Sequence, residues 1–567
     1  MKEAKEGPSP KIIGDSGVRN LIVLQTIKTI FTIFSKKERA TFIASFFVCL
    51  IASILLLIWI IKEDTVLSPV AGGEYVEGVI GQPIFVNPIY AQNNQTDNDL
   101  SRLLYADIAS MAETITIGND KRTYDIRLKG DITWQDRQPI TTDDILFTVK
   151  LIQDPDANSP LAPLWKGIQA ERISEREIRM TAPATYSFFE TDLRSLQPIP
   201  KHLFGNIPSA NIRLSDYNLE PIGSGPYQFV AFQKRRDGFI TQYTMKASDR
   251  YFGAKPYITT ITLKFYQDSP SELAAFNNGD IDGMAVADPN IVKKISIPHQ
   301  TRQIEMPRYY AVFFNPYANP NLNEKAVREA LDFATDKMTI IDRIFGRNAL
   351  AITGPMPPFT KDTQGAPSFD IAKANMLLDE AGWYRNDSGI RQKNGHDLSF
   401  ILTVYQTPFL IDTAQLLKEQ WKAAGIDLHI NIAQSSDFTS AVIRQRDYEM
   451  LLFGNIYGKN LDPYSFWHSS QKLAPGLNLS LYDNNNADAL IDGLRRDFNP
   501  DSRAVGMRQL QPIIIADKPA IFLYSPYYLY VSNRSLKGFD ATALPTPSDR
   551  FTHINTWYLK TVRTLKK

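Results

Sequence analysis

Hydrophobic and polar positions follow two regimes along this chain. From Ala40 to Ile61 the sequence ATFIASFFVCLIASILLLIWII carries no charge. As a helix it would reach roughly 33 Å, enough to cross a hydrocarbon layer of about 30 Å. Lys28, Lys36, Lys37 and Arg39 precede it, and Lys62, Glu63 and Asp64 follow. The bias of basic residues toward the inner side predicts a single-pass anchor over 40–61, with residues 1–39 cytoplasmic and everything after about residue 62 outside the cell. A cleaved signal peptide is the rival. Its apolar stretch is usually ~7–15 residues behind a short basic leader, and both parts are longer here. The more interrupted stretch Leu21–Phe34 suits a segment lying along the inner membrane face.

After Gly72 the pattern changes to short elements separated by Pro and Gly. Thr123–Lys129 alternates apolar Tyr124, Ile126 and Leu128 with polar neighbours, which predicts a half-buried strand. Thr141, with Asp144 three residues on and Ile145, Leu146 and Phe147 behind it, marks a capped helix start. Asn323 opens a predicted helix with Val327, Leu331 and Ala334 on one face. A second runs from Ile371 to Ala381 and stops at Gly382. A third carries Ala414, Leu417, Trp421 and Ala424, ends at Gly425 and leads into the alternating strand Ile426–Ile432. Those apolar faces are core. Helices and strands interleaved over such a length predict α/β lobes.

Composition narrows the function classes. With 567 residues the chain suits two or three lobes, and 43% hydrophobic residues can fill their cores. A net charge of +1 offers no field for nucleic acid. The single cysteine, Cys49, cannot form a disulfide framework or a zinc site. Phe46, Phe47 and Val48 are too large for the small-residue pattern of a lipoprotein site, so Cys49 reads as a thiol within the anchor. The histidines His202, His299, His396, His429, His468 and His553 are scattered without metal-pair spacing. No GxSxG, HExxH or GxxxxGK[ST] pattern occurs, and the pairs Asp143–Asp144 and Glu63–Asp64 read as a helix cap and juxtamembrane charge. No enzyme, metal or cofactor is expected. The 25 Tyr and 31 Phe serve packing or a stacking surface.

An ordered series of segments resembles a known family. It begins with Tyr75–Gly78 and Asn87–Pro88, and its most specific piece is TYDIRLKGDITWQDRQPITTDDILFTVKLIQDPD over residues 123–156. PIPKHL (198–203), PIGSGPY (221–227), RYFGAKPY (250–257), GDID (279–282), NPYANPNLNEKAVREALDFA (315–334) and Leu377–Trp383 follow in order. Together they are similar to the extracellular solute-binding proteins, family 5, of peptide and nickel ABC importers. Gln135 and Arg137 stand where that family typically has His and Gly, and Phe252 where it often has Trp. The resemblance implies an α/β, two-lobed periplasmic-binding-protein-like clamp of type II with an extra domain, here behind one transmembrane helix. It places lobe I at 74–98, 222–308 and 525–560, the extra domain at 99–221 and lobe II at 309–524. Trp134 is assigned to packing of the extra domain.

A clamp that buries a peptide needs aromatic walls, a partner for the ligand's ammonium and backbone groups to pair with its amides. The resemblance directs attention to Gly454–Ser469, where Asp462 is the only acid. Asp462 is a candidate for the ammonium contact, or else it caps the turn at Pro463. Some peptide-binding members carry a further acid where this chain has Lys459, which leaves room for an acidic or blocked ligand. Tyr309, Tyr310, Phe314 and Asn315 on one crossing strand, Tyr457 and Trp467 beside Asp462, and Tyr527 and Tyr528 on the return crossing complete the candidate set. The implied partners are a peptide, an ABC permease with its ATPase, and the membrane through residues 40–61, with the protein itself a monomer. A tethered sensor using the same clamp, or a non-peptide solute such as a nickel chelate or oligosaccharide, is the alternative.

Overall fold

The computed structural model describes residues 33–356, 369–434 and 438–566. The expected membrane-surface segment Leu21–Phe34 lies, up to residue 32, outside them. Of the described residues, 33–70 and 561–566 belong to one unit, and those within Ala71–Lys560 to a second.

In the first unit a 29-residue helix spans Lys36–Asp64. Ser35 caps it, with the Glu38 N–H donating to Ser35 Oγ (3.4 Å) and the Ser35 N–H donating to Glu38 Oε2 (2.8 Å). By length and composition this helix can cross a membrane, its most apolar 18-residue stretch having a mean hydropathy of 2.8. It presents Phe42, Phe46, Leu50, Leu57 and Trp59 outward. The following strand Thr65–Val70 pairs with the C-terminal strand Lys560–Leu565. Lys566 N–H donates to Asp64 O at 2.8 Å, and Arg563 Nη1 to Thr65 Oγ1 at 3.0 Å, which fixes the end of the helix to the end of the chain.

The second unit is α/β and has two main sheets. The first lobe holds seven strands in the order His299–Ile304, Tyr528–Asn533, Gly283–Val286, Glu74–Ile80, Thr260–Tyr266, Ile240–Ala247, Tyr227–Lys234. The second lobe holds six, in the order Ala349–Ala351, Ala520–Pro526, Arg308–Phe314, Met450–Ile456, Ser399–Tyr405, Asp427–Ala433. The chain crosses between the two sheets at Glu305–Pro307 and returns at Tyr527. A third, antiparallel sheet of Ala112–Ile117, Thr123–Leu128, Glu177–Thr181 and Gln169–Arg172 forms the extra domain. Its core is continuous with that of the first lobe: Trp134, Tyr124 and Trp165 belong to the same buried cluster as Tyr75, Tyr227 and Trp557. The second lobe buries separate clusters on the two faces of its sheet, one around Trp421 and Phe400 and the other around Trp467 and Tyr309. This division follows from strand alternation. Val312 and Phe314 enter one cluster, Tyr309, Ala311 and Phe313 the other.

Local chemistry sets the joints. The helix Thr142–Gln153 starts at Thr141 with a complete capping box to Asp144. Gly425, at φ +79°, ends the helix Pro408–Ala423 before the strand Asp427–Ala433. The helix expected from Asn323 instead starts at Lys325, after a 3₁₀ turn over Pro320–Asn323. Asn323 turns back and donates from Nδ2 to Pro316 O at 3.3 Å, and Glu324 takes the cap position. In the PIGSGPY segment a Cβ at Gly223 would stand 1.9 Å from Leu104 O. Side-chain-free residues there let Ser224 and Gly225 donate their N–H groups to that carbonyl at 3.0 and 2.8 Å. Gln135 completes the joint, accepting from Gly223 N–H at 3.0 Å and donating to Tyr227 O at 2.8 Å. Arg137 adopts φ +77°, a left-handed position that favours glycine.

One ionic cluster is buried at the centre of the first lobe. Arg550 donates from Nε to Glu77 Oε1 at 2.8 Å and from Nη1 to Asp99 Oδ1 at 2.9 Å. Tyr530 donates its hydroxyl to Glu77 Oε2 at 2.7 Å and lies 2.7 Å from the Tyr75 hydroxyl. The strand Glu74–Ile80, the helix Gln95–Leu104, the strand Tyr528–Asn533 and the turn Pro547–Phe551 therefore meet on one guanidinium.

Candidate functional site

A cavity of about 430 Å³ opens where the first lobe, the extra domain and the second lobe meet. One wall is the helix Gln95–Leu104, capped by Asn94, whose Oδ1 accepts the Thr96 N–H at 2.8 Å. This helix presents Asn98, Ser101 and Arg102 to the cavity. The extra domain adds Trp165, and Asp192 and Ser195 from the short helix Phe189–Ser195. The second lobe closes it with Tyr457, Gly458, Lys459 and Asn460, the loop that leaves the strand Met450–Ile456. Tyr457 N–H donates to Pro307 O at 2.9 Å, so this loop is tied to the crossing itself. Gly458, at φ +65°, turns the chain so that Lys459 and Asn460 face the other walls.

The cavity's charges are unevenly matched. Arg102 reaches Asp549 at 2.9 Å and Asp107 at 3.3 Å. Lys459 lies 3.7 Å from Asp549, and burial lowers its pKa. Asp192 accepts from Asn460 Nδ2 at 2.7 Å through Oδ1, whereas its Oδ2 is buried without a hydrogen-bond partner. Burial pushes the Asp192 carboxyl up to about 7, against the pull of the Asn460 amide and the Lys459 charge.

A second set of contacts joins the extra domain to the second lobe beside the cavity. Tyr186 donates its hydroxyl to Asp462 Oδ2 at 3.1 Å, and Arg495 Nε stands 3.2 Å from the same oxygen. Asp462 Oδ1 accepts the Tyr464 N–H at 3.0 Å. Ser187 donates from its N–H to Arg495 O at 2.7 Å and from Oγ to Leu494 O at 2.9 Å, satisfying carbonyls in the last turn of the helix Asn485–Arg496. The Arg495 guanidinium stacks on Tyr464 at 3.9 Å and Tyr186 at 4.8 Å. With Asn460–Asp192, these contacts form a clasp between the two bodies.

Of the nine residues singled out in the sequence, Tyr457 lines the cavity. Asp462 belongs to the clasp, its carboxylate turned to Tyr186 and Arg495. Tyr309 is fully buried, its hydroxyl accepting from Asn455 Nδ2 at 2.9 Å and Trp467 Nε1 at 3.2 Å. Phe314 and Asn315 sit at the far end of the crossing strand. There Asn315 Nδ2 donates to Tyr448 O at 2.9 Å and Arg446 O at 3.1 Å. Tyr310 is half-buried against Phe409 and Tyr524. Tyr527 and Tyr528 stand half-buried at the return crossing, and the Tyr528 hydroxyl is buried without a partner. Arg102, Asp192 and Asn460 were not singled out. Asp192 is an acid on a seven-residue helix, and in one dimension it reads as an ordinary charge complementing the helix start. Lys459 was visible only as a departure from the family pattern.

The geometry agrees with what the chain resembles. The sequence profile described as "Bacterial extracellular solute-binding proteins, family 5 Middle" matches residues 108–475. The oligopeptide-binding protein AppA of Bacillus subtilis is 27% identical over 501 residues, covering 83% of this chain and 90% of that protein. The nickel-binding periplasmic protein of Escherichia coli is 26% identical over 373 residues, covering 63% of this chain and 69% of its own. Among solved structures, AppA of Bacillus subtilis in complex with a nonapeptide superposes with a TM-score of 0.67 at 26% identity, covering 87% of this chain and 100% of that one. The ABC transporter substrate-binding protein CtaP of Listeria monocytogenes gives a TM-score of 0.73 at 26% identity, covering 86% and 99%. Two α/β lobes with an extra domain, and a match over more than half of the sequence, lead to one assignment: this chain belongs to the bacterial extracellular solute-binding proteins, family 5.

Proposed function

We propose that this protein is the membrane-anchored capture component of an ABC importer, which holds a peptide between its lobes and delivers it to the permease and its ATPase. The observation that carries the reading is the cavity at the meeting of all three bodies, walled by polar side chains from each. Its volume of about 430 Å³ falls in the range of roughly 300–1,000 Å³ in which small-molecule sites lie. Similarity to AppA, whose structure holds a nonapeptide, favours a peptide over other solutes. Within this reading Tyr457 forms one wall, Tyr527 and Tyr528 flank the crossing that closes around the ligand, and Asp462 acts in the clasp. The protein works as a monomer and binds without catalysing a reaction.

The helix Lys36–Asp64 is read as a single-pass anchor. Basic Lys36, Lys37 and Arg39 keep the N-terminus cytoplasmic and leave the clamp outside. Native mass spectrometry of the full-length chain in lipid nanodiscs, purified without added ligand, tests the function. Co-purified peptides are expected. A metal chelate or sugar in the cavity, with no peptide affinity, would overturn the reading.

A further inference from the structure

The last strand of the chain ends where the long apolar helix ends. Lys566 N–H donates to Asp64 O at 2.8 Å, and Ser68 Oγ lies 2.6 Å from Thr564 Oγ1. The strands Thr65–Val70 and Lys560–Leu565 therefore run in opposite directions, and Lys566, not Lys560, is set beside the helix. Every residue of Lys560–Leu565 is exposed, as are Val66, Leu67 and Val70. A ribbon of two strands is at best marginally stable alone in water.

Position along the helix says what covers it. The uncharged run closes at Ile61, and Asp64 lies three residues on, roughly 4.5 Å further at helical rise. A headgroup layer is about 5–7 Å deep on each side of a bilayer, so Lys566, held at Asp64, falls within it. Exposed Trp59, just before the charged end, suits the aromatic belt of that boundary. Charge points the same way. Lys62, Arg563 and Lys566 gather here; Glu63 and Asp64 are the only acids in 62–70, and none follows Asp549. Among the described residues neither Lys62 nor Lys566 has an ion-pair partner.

We propose that the final strand returns the chain to the outer headgroup layer, where Lys62, Arg563 and Lys566 bind the phosphates of anionic phospholipids. This rests on the anchor reading above. Arg563 holds the ribbon in register through Thr65 Oγ1 at 3.0 Å. The membrane then grips the protein at two points far apart in sequence, the helix Lys36–Asp64 and the strand Lys560–Leu565.

The test uses the full-length chain in phosphatidylcholine nanodiscs and fluorescence quenching by nitroxide lipids. A fluorophore on the native Cys49, near the middle of the uncharged run, reports the anchor against a lipid labelled at its acyl-chain end. A fluorophore at Leu565→Cys, in a Cys49→Ser background, reports the final strand against lipids labelled just below the headgroup. There, labelled phosphatidylglycerol should be enriched over labelled phosphatidylcholine by about fivefold or more, and high salt should weaken the preference. Lys62→Gln with Lys566→Gln leaves the Arg563 contact in place. It should cut the enrichment by about threefold or more while quenching by phosphatidylcholine stays the same. Lys62→Arg with Lys566→Arg should keep it. With Cys49 quenched, three results overturn the proposal: equal quenching by the two lipids in wild type, a preference that survives the glutamine variant, or a probe at 565 that neither lipid reaches, as when a second copy covers the ribbon. A Cys49 probe that stays unquenched removes the anchor reading and the proposal with it.

Discussion

Asp462 Oδ2 stands 3.2 Å from Arg495 Nε, and the same oxygen accepts the Tyr186 hydroxyl at 3.1 Å. One carboxylate therefore links the second lobe to the extra domain while neutralising a guanidinium stacked between two tyrosines. Burial raises the Asp462 pKa and the Arg495 charge opposes that rise. Asp462→Ala should leave Tyr186 without its acceptor and Arg495 without its ion-pair partner at a partly buried site, lowering stability by about 1–3 kcal/mol. Ligand affinity should fall by a similar factor for charged and blocked peptides, because closure and not a ligand contact is lost. Chemical denaturation together with calorimetry on both peptide types measures the two effects.

Stability should depend on pH through Asp192. Its carboxyl is pushed up to about 7 by burial. Asn460 and Lys459 face it and favour the charged form; Asp462 faces it and disfavours that form, and the Tyr186 hydroxyl is also close by. Unfolded, the group would titrate near its ordinary value of 3.8. Between these two values the folded protein holds a proton that the unfolded chain has released, so stability from this site is greatest below about pH 4 and declines as pH rises toward 7. The dependence should vanish in Asp192→Asn. Urea midpoints of the two proteins at pH 5 and pH 8 measure it.

How much of this could be read in one dimension differs sharply between elements. The capping box at Thr141 and Asp144 and the stop at Gly425 depend on residues three or four apart, and sequence spacing displays them. The α/β class follows from the same local periodicity. Asn323 shows the limit of such reading, because its amide is drawn to Pro316 O and the helix begins two residues later. The candidate site suffers most. Aromatics on the crossing strands look like cleft walls, yet alternation sends Tyr309 and Phe314 into opposite cores. Asp192 and Asn460 lie 268 residues apart, and nothing local marks either as the other's partner. Lys459 was legible only against a family pattern, and the fold supplies its acid, Asp549, from near the end of the chain.

The proposed anchor has its own consequence. The helix Lys36–Asp64 exposes an apolar surface that no described residue covers, and a membrane would shield it. The protein should stay with membranes after carbonate extraction. Protease added to right-side-out cells should remove the body beyond Thr65, and protease added to inverted vesicles should remove only the segment before Lys36. The reverse pattern would reverse the orientation.

Arg550 should be the most sensitive single position in the first lobe. It is buried against Glu77 and Asp99 and joins four separated segments. Arg550→Met fits similar volume but leaves two buried carboxylates facing each other. A loss of about 3–5 kcal/mol is expected. Adding Glu77→Gln and Asp99→Asn removes the stranded charges and should return part of that loss. A triple variant no more stable than Arg550→Met in urea would show that the pairing geometry, and not the uncompensated charge, governs this cluster.

Glu272 lies on the helix Ser269–Asn278 with about 3% of its surface exposed. Burial pushes its carboxyl up to about 8, and the neighbouring Glu77 charge adds to the rise. Unfolded, the group would titrate near its ordinary value of 4.5. Between these two values the folded protein holds a proton that the unfolded chain has released. Stability from this site is therefore greatest below about pH 4.5 and declines as pH rises toward 8, by an amount on the order of 3–5 kcal/mol. Glu272→Gln keeps the shape and removes the titration. At pH 9 the variant should be more stable than wild type by a few kcal/mol (~2–4), and at pH 5 the two should be close. Urea midpoints at the two pH values read the difference directly. Equal gaps at both would mean that the group is charged in the fold and that a partner holds it so.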